Sequence, residues 1–306
     1  VPDKPAAEIS IDIPLIRGLL ADQAAAIIPD ATDLPLRKVA EGWDSEVWRL
    51  GDEYAVRLPR RALAAPLVLH EQAVLPGVAE RLAPVGVRVP APVVDGAAGH
   101  GYPWAWSVVP WIDGVSALDQ PLAERGEWAD ALARALVALH ADAPDDHPVN
   151  PFRGAPLAAR TDAVEQRLRT LRVAGILDDL AADAVHVLWH AGLAAEPWDR
   201  TPVWIHGDLH PGNLVTRHGT LAAIIDFGDV TAGDPAYDLA VAWLAFDAAG
   251  RERFLAAAGS GYDIDVWVRA RAWAAAVVLM LLAHSDDNPA YFALGRDAAT
   301  EVLADA

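Results

Sequence analysis

The 306-residue chain contains no cysteine, which removes disulfides, thiol nucleophiles and thiolate metal sites from consideration. The same absence agrees with a reducing cytoplasm, the expected location. Basic residues are scarce: 24 Lys and Arg stand against 43 Asp and Glu, a formal net charge of −19. Nucleic acids and anionic membranes attract basic surfaces, so neither is an expected partner. A cationic small molecule is compatible with the charge, and so is an acidic surface that only maintains solubility. Long apolar runs are missing as well. The most apolar stretch, Trp273–Ala283, is eleven residues long and ends at His284-Ser285-Asp286-Asp287, too short to cross a bilayer and expected as a buried helix. The opening VPDKPAAEISIDIP lacks the basic region and apolar run of a signal peptide.

What is present is a core-forming composition, 53% apolar, and two polar runs: HGDLHPGN at 206–213 and IIDFGD at 224–229. The first sets Asp208 and Asn213 in one short loop, with Pro211-Gly212 to turn the backbone between them. The second sets Asp226 after the aliphatic stretch Leu221–Ile225. A nucleoside triphosphate is attacked only when Mg²⁺ neutralises its oxygens and a carboxylate orients or deprotonates the incoming hydroxyl. Asn213 and Asp226 offer hard oxygen ligands for Mg²⁺, which leaves Asp208 for the hydroxyl. Either motif alone is ordinary turn chemistry. Two extended matches beside strand-like runs at Pro202–Ile205 and Leu221–Ile225 point to phosphoryl transfer. His206-x-Asp208-x-His210 also suggests a transition-metal site, but Mg²⁺ accounts for more residues, and His206 is expected to brace the loop through its ring.

The pattern predicts a helix around Ile13–Ile28, closed by Pro29-Asp30, then strands at Arg37–Val39, Glu46–Leu50 and, past a Gly51-Asp52 turn, Glu53–Leu58. Leu69–Leu82 reads as a helix, and Val93-Val94 with Trp104–Val109 completes a small sheet. Beyond Pro110, alanine-rich amphipathic segments dominate: Glu127–Ala141, Ala158–Ala174, Asp178–Ala195, Ala236–Ala249, Arg251–Ala258 and Ile264–His284. The boundary is expected at Pro110–Gly114. Residues 1–109 would then form a nucleotide-binding lobe, and 110–306 a hinge and helical lobe with catalytic loop, metal site and acceptor pocket. A monomer is expected.

These runs resemble the aminoglycoside and macrolide phosphotransferase family, which looks like the eukaryotic protein kinases. The resemblance implies an α+β, bilobal, kinase-like fold with a small antiparallel-sheet lobe and a larger, mainly helical one. It implies Asp208 as catalytic base or hydroxyl-orienting residue, Asn213 and Asp226 as Mg²⁺ ligands, and GDPAYDLA at 233–240 as a structural continuation. Asp234 and Asp238 there read as helix-start and internal hydrogen-bonding carboxylates. The kinase lysine is replaced by Arg57 in AVRLPRR, near Arg60 and Arg61; Glu71, fourteen residues on, would pair with it. The phosphate-covering loop would be Glu41–Glu46, with one glycine, Gly42, for the turn and Ser45 for a phosphate contact. WSVVPWIDG at 106–114 resembles the hinge, whose backbone near Ser107–Val109 would receive the purine edge of GTP or ATP. Similarity of EGWDSEVW and RLPRR to the macrolide branch favours GTP as donor and the 2'-hydroxyl of a macrolide as acceptor. Trp243, Phe246, Trp267 and Trp273 are candidates for an apolar acceptor wall. The alternatives are an aminoglycoside acceptor, permitted by the net charge, Asp286-Asp287 and Asp263-Asp265, or a kinase-like binding protein without catalysis.

Overall fold

Strands Leu36–Glu41 (β1), Ser45–Leu50 (β2), Tyr54–Pro59 (β3), Val94–Gly96 (β4) and Trp106–Pro110 (β5) form one sheet in the order β1-β2-β3-β5-β4, each neighbouring pair antiparallel. In this computed structural model residues 5–285 and 288–304 are described; Asp286 and Asp287 lie outside them. Side chains alternate across a strand, so Trp48, Leu50, Val56, Leu58, Trp106 and Val108 share one face. That face is buried with Ile16, Leu19 and Leu20 of helix Ile13–Gln23. Burying each such side chain contributes about 1.5–3 kcal/mol. The helix is capped by Asp12, which accepts from the Leu15 N–H, and stops short of the expected Ile28. Gln23 at its end exchanges two hydrogen bonds with the Ala97 backbone, and the chain continues in turns. The opposite sheet face carries Arg57 in register with Ser107, and helix Ala65–Leu82 brings Glu71 and Gln72 to it.

The chain divides into two units: one runs to Asp113 and takes back Ala223–Gly228, and the other comprises Gly114–Ala222 and continues from Asp229. In the second unit, helices Ala129–Leu139, Thr161–Val173, Asp179–Ala194, Ala248–Ala258, Ile264–His284 and Pro289–Leu303 accompany short strands. Those strands are Val115–Ser116 (β6), Val203–Ile205 (β7), Leu214–Arg217 (β8), Thr220–Ile224 (β9, whose last two residues are assigned to the first unit) and Thr231–Gly233 (β10); β10 pairs with β7, and a second sheet has the order β6-β8-β9. His218 and Gly219, both at positive φ, turn the chain between β8 and β9.

Two expectations are corrected and one helix is added. The segment Ala236–Ala249 is broken: after Ala236–Leu239 and Val241–Ala245, Phe246 is extended and Asp247 caps a new helix, Ala248–Ala258, by accepting from the Gly250 N–H. Helix Pro289–Leu303 was not anticipated, because Gly295 interrupts its helical propensity; a side chain there would meet Leu281 and Leu282, so the glycine permits close helix packing. The apolar stretch Trp273–Ala283 belongs to a helix of 21 residues, Ile264–His284, which with Ala62–Val85 is long and apolar enough to cross a membrane by length and composition. Two thirds of its most apolar window is buried within the protein.

Candidate active site

Asp208 follows β7 in a loop whose shape is set by a buried carboxylate. Asp238, fully buried, accepts from the His206 N–H at 2.7 Å and the Gly207 N–H at 3.1 Å, and from His140 Nε2 at 3.3 Å. An ionised carboxylate only accepts, so His140 presents N–H at Nε2, while its Nδ1 lies 2.7 Å from the Tyr262 hydroxyl. Asp238 therefore has the internal role its sequence context suggested, and Asp234 accepts from the Ala236 N–H and pairs with Arg269. Gly207 stands at φ 84°, and a Cβ there would lie 2.4 Å from the Asp229 carbonyl oxygen, so only glycine fits. His206 braces the loop as expected: its Nδ1 accepts from the Asp208 N–H at 3.1 Å.

The carboxylate of Asp208 has one oxygen 3.1 Å from Arg153 Nη2 and the other 3.7 Å from His210 Nε2. Burial works against its ionisation, but His210, Arg153 and His206 hold it well below the usual carboxylate range. The carboxylate is therefore ionised and able to accept hydrogen bonds. His210 caps the turn Pro211–Asn213 by accepting from the Gly212 N–H. Asn213 donates through Nδ2 to the Asp208 carbonyl at 2.8 Å.

In the other unit, Arg57 is gripped by two carboxylates: Nη1 meets Glu71 and Nη2 meets Asp226, each at 2.7 Å. Burial opposes the charge on Arg57, yet Glu71 and Asp226 raise its pKa, so the guanidinium stays ionised. Burial also pushes the Glu71 carboxyl up to about 7, against the pull of Arg57. Asp226 stands at φ 63°, a left-handed conformation costing about 1–2 kcal/mol in a residue other than glycine, and its side chain is half exposed. Arg60 and Arg61 are committed elsewhere. Arg60 donates to the Gly42 carbonyl and pairs with Glu41, and Arg61 pairs with Asp44, so both tie down the loop between β1 and β2. Within that loop the Gly42 N–H donates to the Ser45 carbonyl at 2.9 Å, and Ser45 is buried at the start of β2. Gly42 makes this turn without a positive φ, and a Cβ would meet only the Ser45 oxygen at 3.5 Å. The loop does not depend on a glycine there.

Ser107 and Val109 lie within the sheet. The Val93 N–H donates to the Val108 carbonyl, and the Trp111 N–H donates to the Glu53 carbonyl. Alternation along β5 then turns the backbone groups of Ser107 and Val109 toward Arg57 and Ala55 of β3, inside the sheet. The Ser107 hydroxyl is covered by Gln72 at 3.1 Å. The next groups on the outer side of this edge belong to Pro110 and Ile112. The proposed aromatic wall is also core: Trp243, Phe246 and Trp273 are buried, with Phe246 against Trp128 and Phe254, and Trp273 against Trp189 and Tyr237. Trp267, half-buried, packs on Phe254 and Tyr262. Asp263 caps helix Ile264–His284 and pairs with Arg200, and Asp265 accepts from the Glu196 N–H.

Arg153 and Asp229 were not anticipated. Arg153 lies 55 residues before Asp208, in a segment without periodicity. The only local signal was an arginine set among the turn formers of NPFRG.

The family model described as "Phosphotransferase enzyme family" matches residues 35–273. A search of curated proteins gave no match. Among solved structures, the GDP complex of wild-type aminoglycoside 2'-phosphotransferase-IIIa is similar at 19% identity and a TM-score of 0.66, covering 93% of this chain and 97% of that one. Macrolide 2'-phosphotransferase MphH from Brachybacterium faecium aligns at 22% identity and a TM-score of 0.57, covering 91% and 97%. Macrolide 2'-phosphotransferase type I aligns at 22% and 0.58, covering 90% and 95%. At these identities the likeness establishes the fold: an antiparallel sheet followed by a mainly helical part, as expected from the sequence.

Proposed function

The chain belongs to the phosphotransferase enzyme family, and from that premise we propose that it moves the γ-phosphate of a purine nucleoside triphosphate, GTP in preference to ATP, to the 2'-hydroxyl of a macrolide. The observation that carries the donor half is the guanidinium of Arg57 held by Glu71 and Asp226 at 2.7 Å each. A buried, fixed cation with unused N–H donors suits the α- and β-phosphates, and charge-assisted bonds of this kind are stronger than neutral ones. Ser45 and the turn at Gly42 are assigned to the phosphates, and the backbone beyond Val109 to the base.

Asn213 and Asp226 are assigned to Mg²⁺. Both fit a hard cation: Asn213 has its Nδ2 engaged and its oxygen available, and Asp226 gives one oxygen to Arg57 and remains half exposed. Among the described residues no group of three His, Cys, Asp or Glu gathers. A Mg²⁺ ion commonly takes one or two protein oxygens and completes its shell with phosphate and water. Bound with the nucleotide, the ion neutralises charge on the phosphate oxygens. Asp208 accepts a hydrogen bond from the acceptor hydroxyl and aims its oxygen at the γ-phosphorus. The new O–P bond forms as the bond to the bridging oxygen breaks, the diphosphate leaves with the electron pair, and the hydroxyl proton passes to Asp208.

The macrolide assignment rests on EGWDSEVW and RLPRR, since the tryptophans first considered for its wall are core and Asp263 and Asp265 are engaged in helix capping and backbone contacts. The test is a panel of erythromycin-like macrolides, kanamycin-like aminoglycosides, choline and simple sugars, each with ATP and GTP separately, read as phosphorylated product. Product from macrolides with GTP supports the reading. Product only from aminoglycosides overturns the acceptor, and product from none, with no donor consumed, overturns phosphoryl transfer.

A further inference from the structure

The segment 148–154 is laid along 229–233 like a strap. Thr231 donates to the Pro148 carbonyl at 2.7 Å, and Gly154, at φ 70°, sits so close to the Ala232 carbonyl that a Cβ would lie 2.4 Å from it. Asn150 ties the strap twice: its Nδ2 donates to Asp229 Oδ1 at 2.8 Å, and its oxygen accepts from the N–H groups of Phe152 and Arg153. Arg153 then reaches inward. Its Nε and Nη2 meet Asp229 Oδ2 at 3.1 and 3.0 Å, and Nη2 also meets Asp208 Oδ1 at 3.1 Å. The guanidinium lies over the Tyr237 ring, 5.7 Å from its centre.

We propose that Arg153 is a positioning residue for Asp208: held by Asp229, Asn150 and Tyr237, it fixes Oδ1 of the Asp208 carboxylate so that Oδ2, which lies 3.7 Å from His210 Nε2, is the oxygen presented to the acceptor hydroxyl. The inference rests on the phosphoryl-transfer reading of Asp208. A carboxylate on a two-bond stem is free to rotate, and a fork of N–H donors with a second carboxylate behind it removes that freedom before substrate arrives. Lysine carries the same charge without the planar fork, so it reaches Asp208 or Asp229 but does not hold their relative geometry. Asp229 acts one step further back, by holding Arg153.

The test compares parent, Arg153→Ala, Arg153→Lys and Asp229→Asn, with and without Asp208→Ala, using labelled GTP or ATP and whichever acceptor of the panel is phosphorylated, or water if only donor hydrolysis is seen. Arg153→Ala is expected to lower kcat about 10²-fold, the size of effect that follows from a misplaced catalytic group, with nucleotide KM within about twofold. In the Asp208→Ala background the same change should alter the residual rate by less than about twofold, because a residue acting through Asp208 has nothing left to act on. Arg153→Lys and Asp229→Asn should show the same kcat-only pattern to a smaller degree, and they carry the test if Arg153→Ala does not fold. Parent-like kcat in Arg153→Ala, or equal losses in both backgrounds, overturns the inference alone. An inactive parent overturns the phosphoryl-transfer reading and this inference together.

Discussion

Replacing Asp238 by alanine removes the acceptor for three buried donors at once: the N–H groups of His206 and Gly207 and Nε2–H of His140. The residue is fully buried, so water does not replace the lost oxygens. A stranded buried donor costs about 1–3 kcal/mol. Three of them, with some relaxation of the loop, give an expected loss of about 3–6 kcal/mol, a large part of a typical domain's stability. Asp238→Asn keeps one oxygen but turns an amide N–H₂ toward donors, and is expected to lose about half as much. Because Asp208 directly follows the two anchored backbone groups, kcat should fall in both variants. Urea unfolding monitored by tryptophan fluorescence gives the stability, and steady-state kinetics on the folded Asn variant gives kcat. An alanine variant within about 1 kcal/mol of the parent and equally active would refute the reasoning, for the buried carboxylate would then not be holding the loop.

Gly207→Ala combines a left-handed φ with a Cβ 2.4 Å from the Asp229 oxygen, so a loss of more than about 2 kcal/mol with sharply reduced kcat is expected by urea unfolding and kinetics. Arg57→Ala should raise the nucleotide KM more than Arg60→Ala or Arg61→Ala does, since the latter two hold the loop between β1 and β2; the reverse order in initial-rate assays would show the wrong arginine was chosen. The Glu71 carboxyl, ordinarily near 4.5, is raised to about 7 in the folded chain. The unfolded chain loses that proton first, so this group's contribution to stability falls as pH rises from about 4.5 to 7. Glu71→Gln should flatten that part of the profile in urea midpoints measured across the window, and an unchanged slope would count against the burial argument.

How much was legible beforehand follows from how local each feature is. The loop from His206 to Asn213 is a continuous run in which residue type, spacing and turn chemistry coincide, so Asp208 and Asn213 could be put forward as candidates, with Asp226 from its strand. The pairing of Arg57 with Glu71 was readable because one strand and the next helix carry them, and the structure sets them 2.7 Å apart. Parity along the hinge was not legible: knowing that the backbone of Ser107 and Val109 turns into the sheet requires knowing which side of β5 lies open, and that depends on β4, a three-residue strand with almost no pattern of its own. The tryptophans failed because composition does not separate an apolar pocket wall from an apolar core. Arg153 was out of reach, since its contact with Asp208 is made by a strap whose path is set by Asn150, Thr231 and Gly154 rather than by periodicity.

The central claim, that Asp208 serves phosphoryl transfer to a hydroxyl, is tested most directly by following the γ-phosphate of labelled GTP and ATP into the acceptor panel with parent and Asp208→Ala, alongside calorimetric nucleotide affinity. Labelled product from the parent, a rate about 10²–10⁴-fold lower in the variant, and nucleotide affinity within about twofold are the predicted results. Equal rates in the two proteins would contradict it.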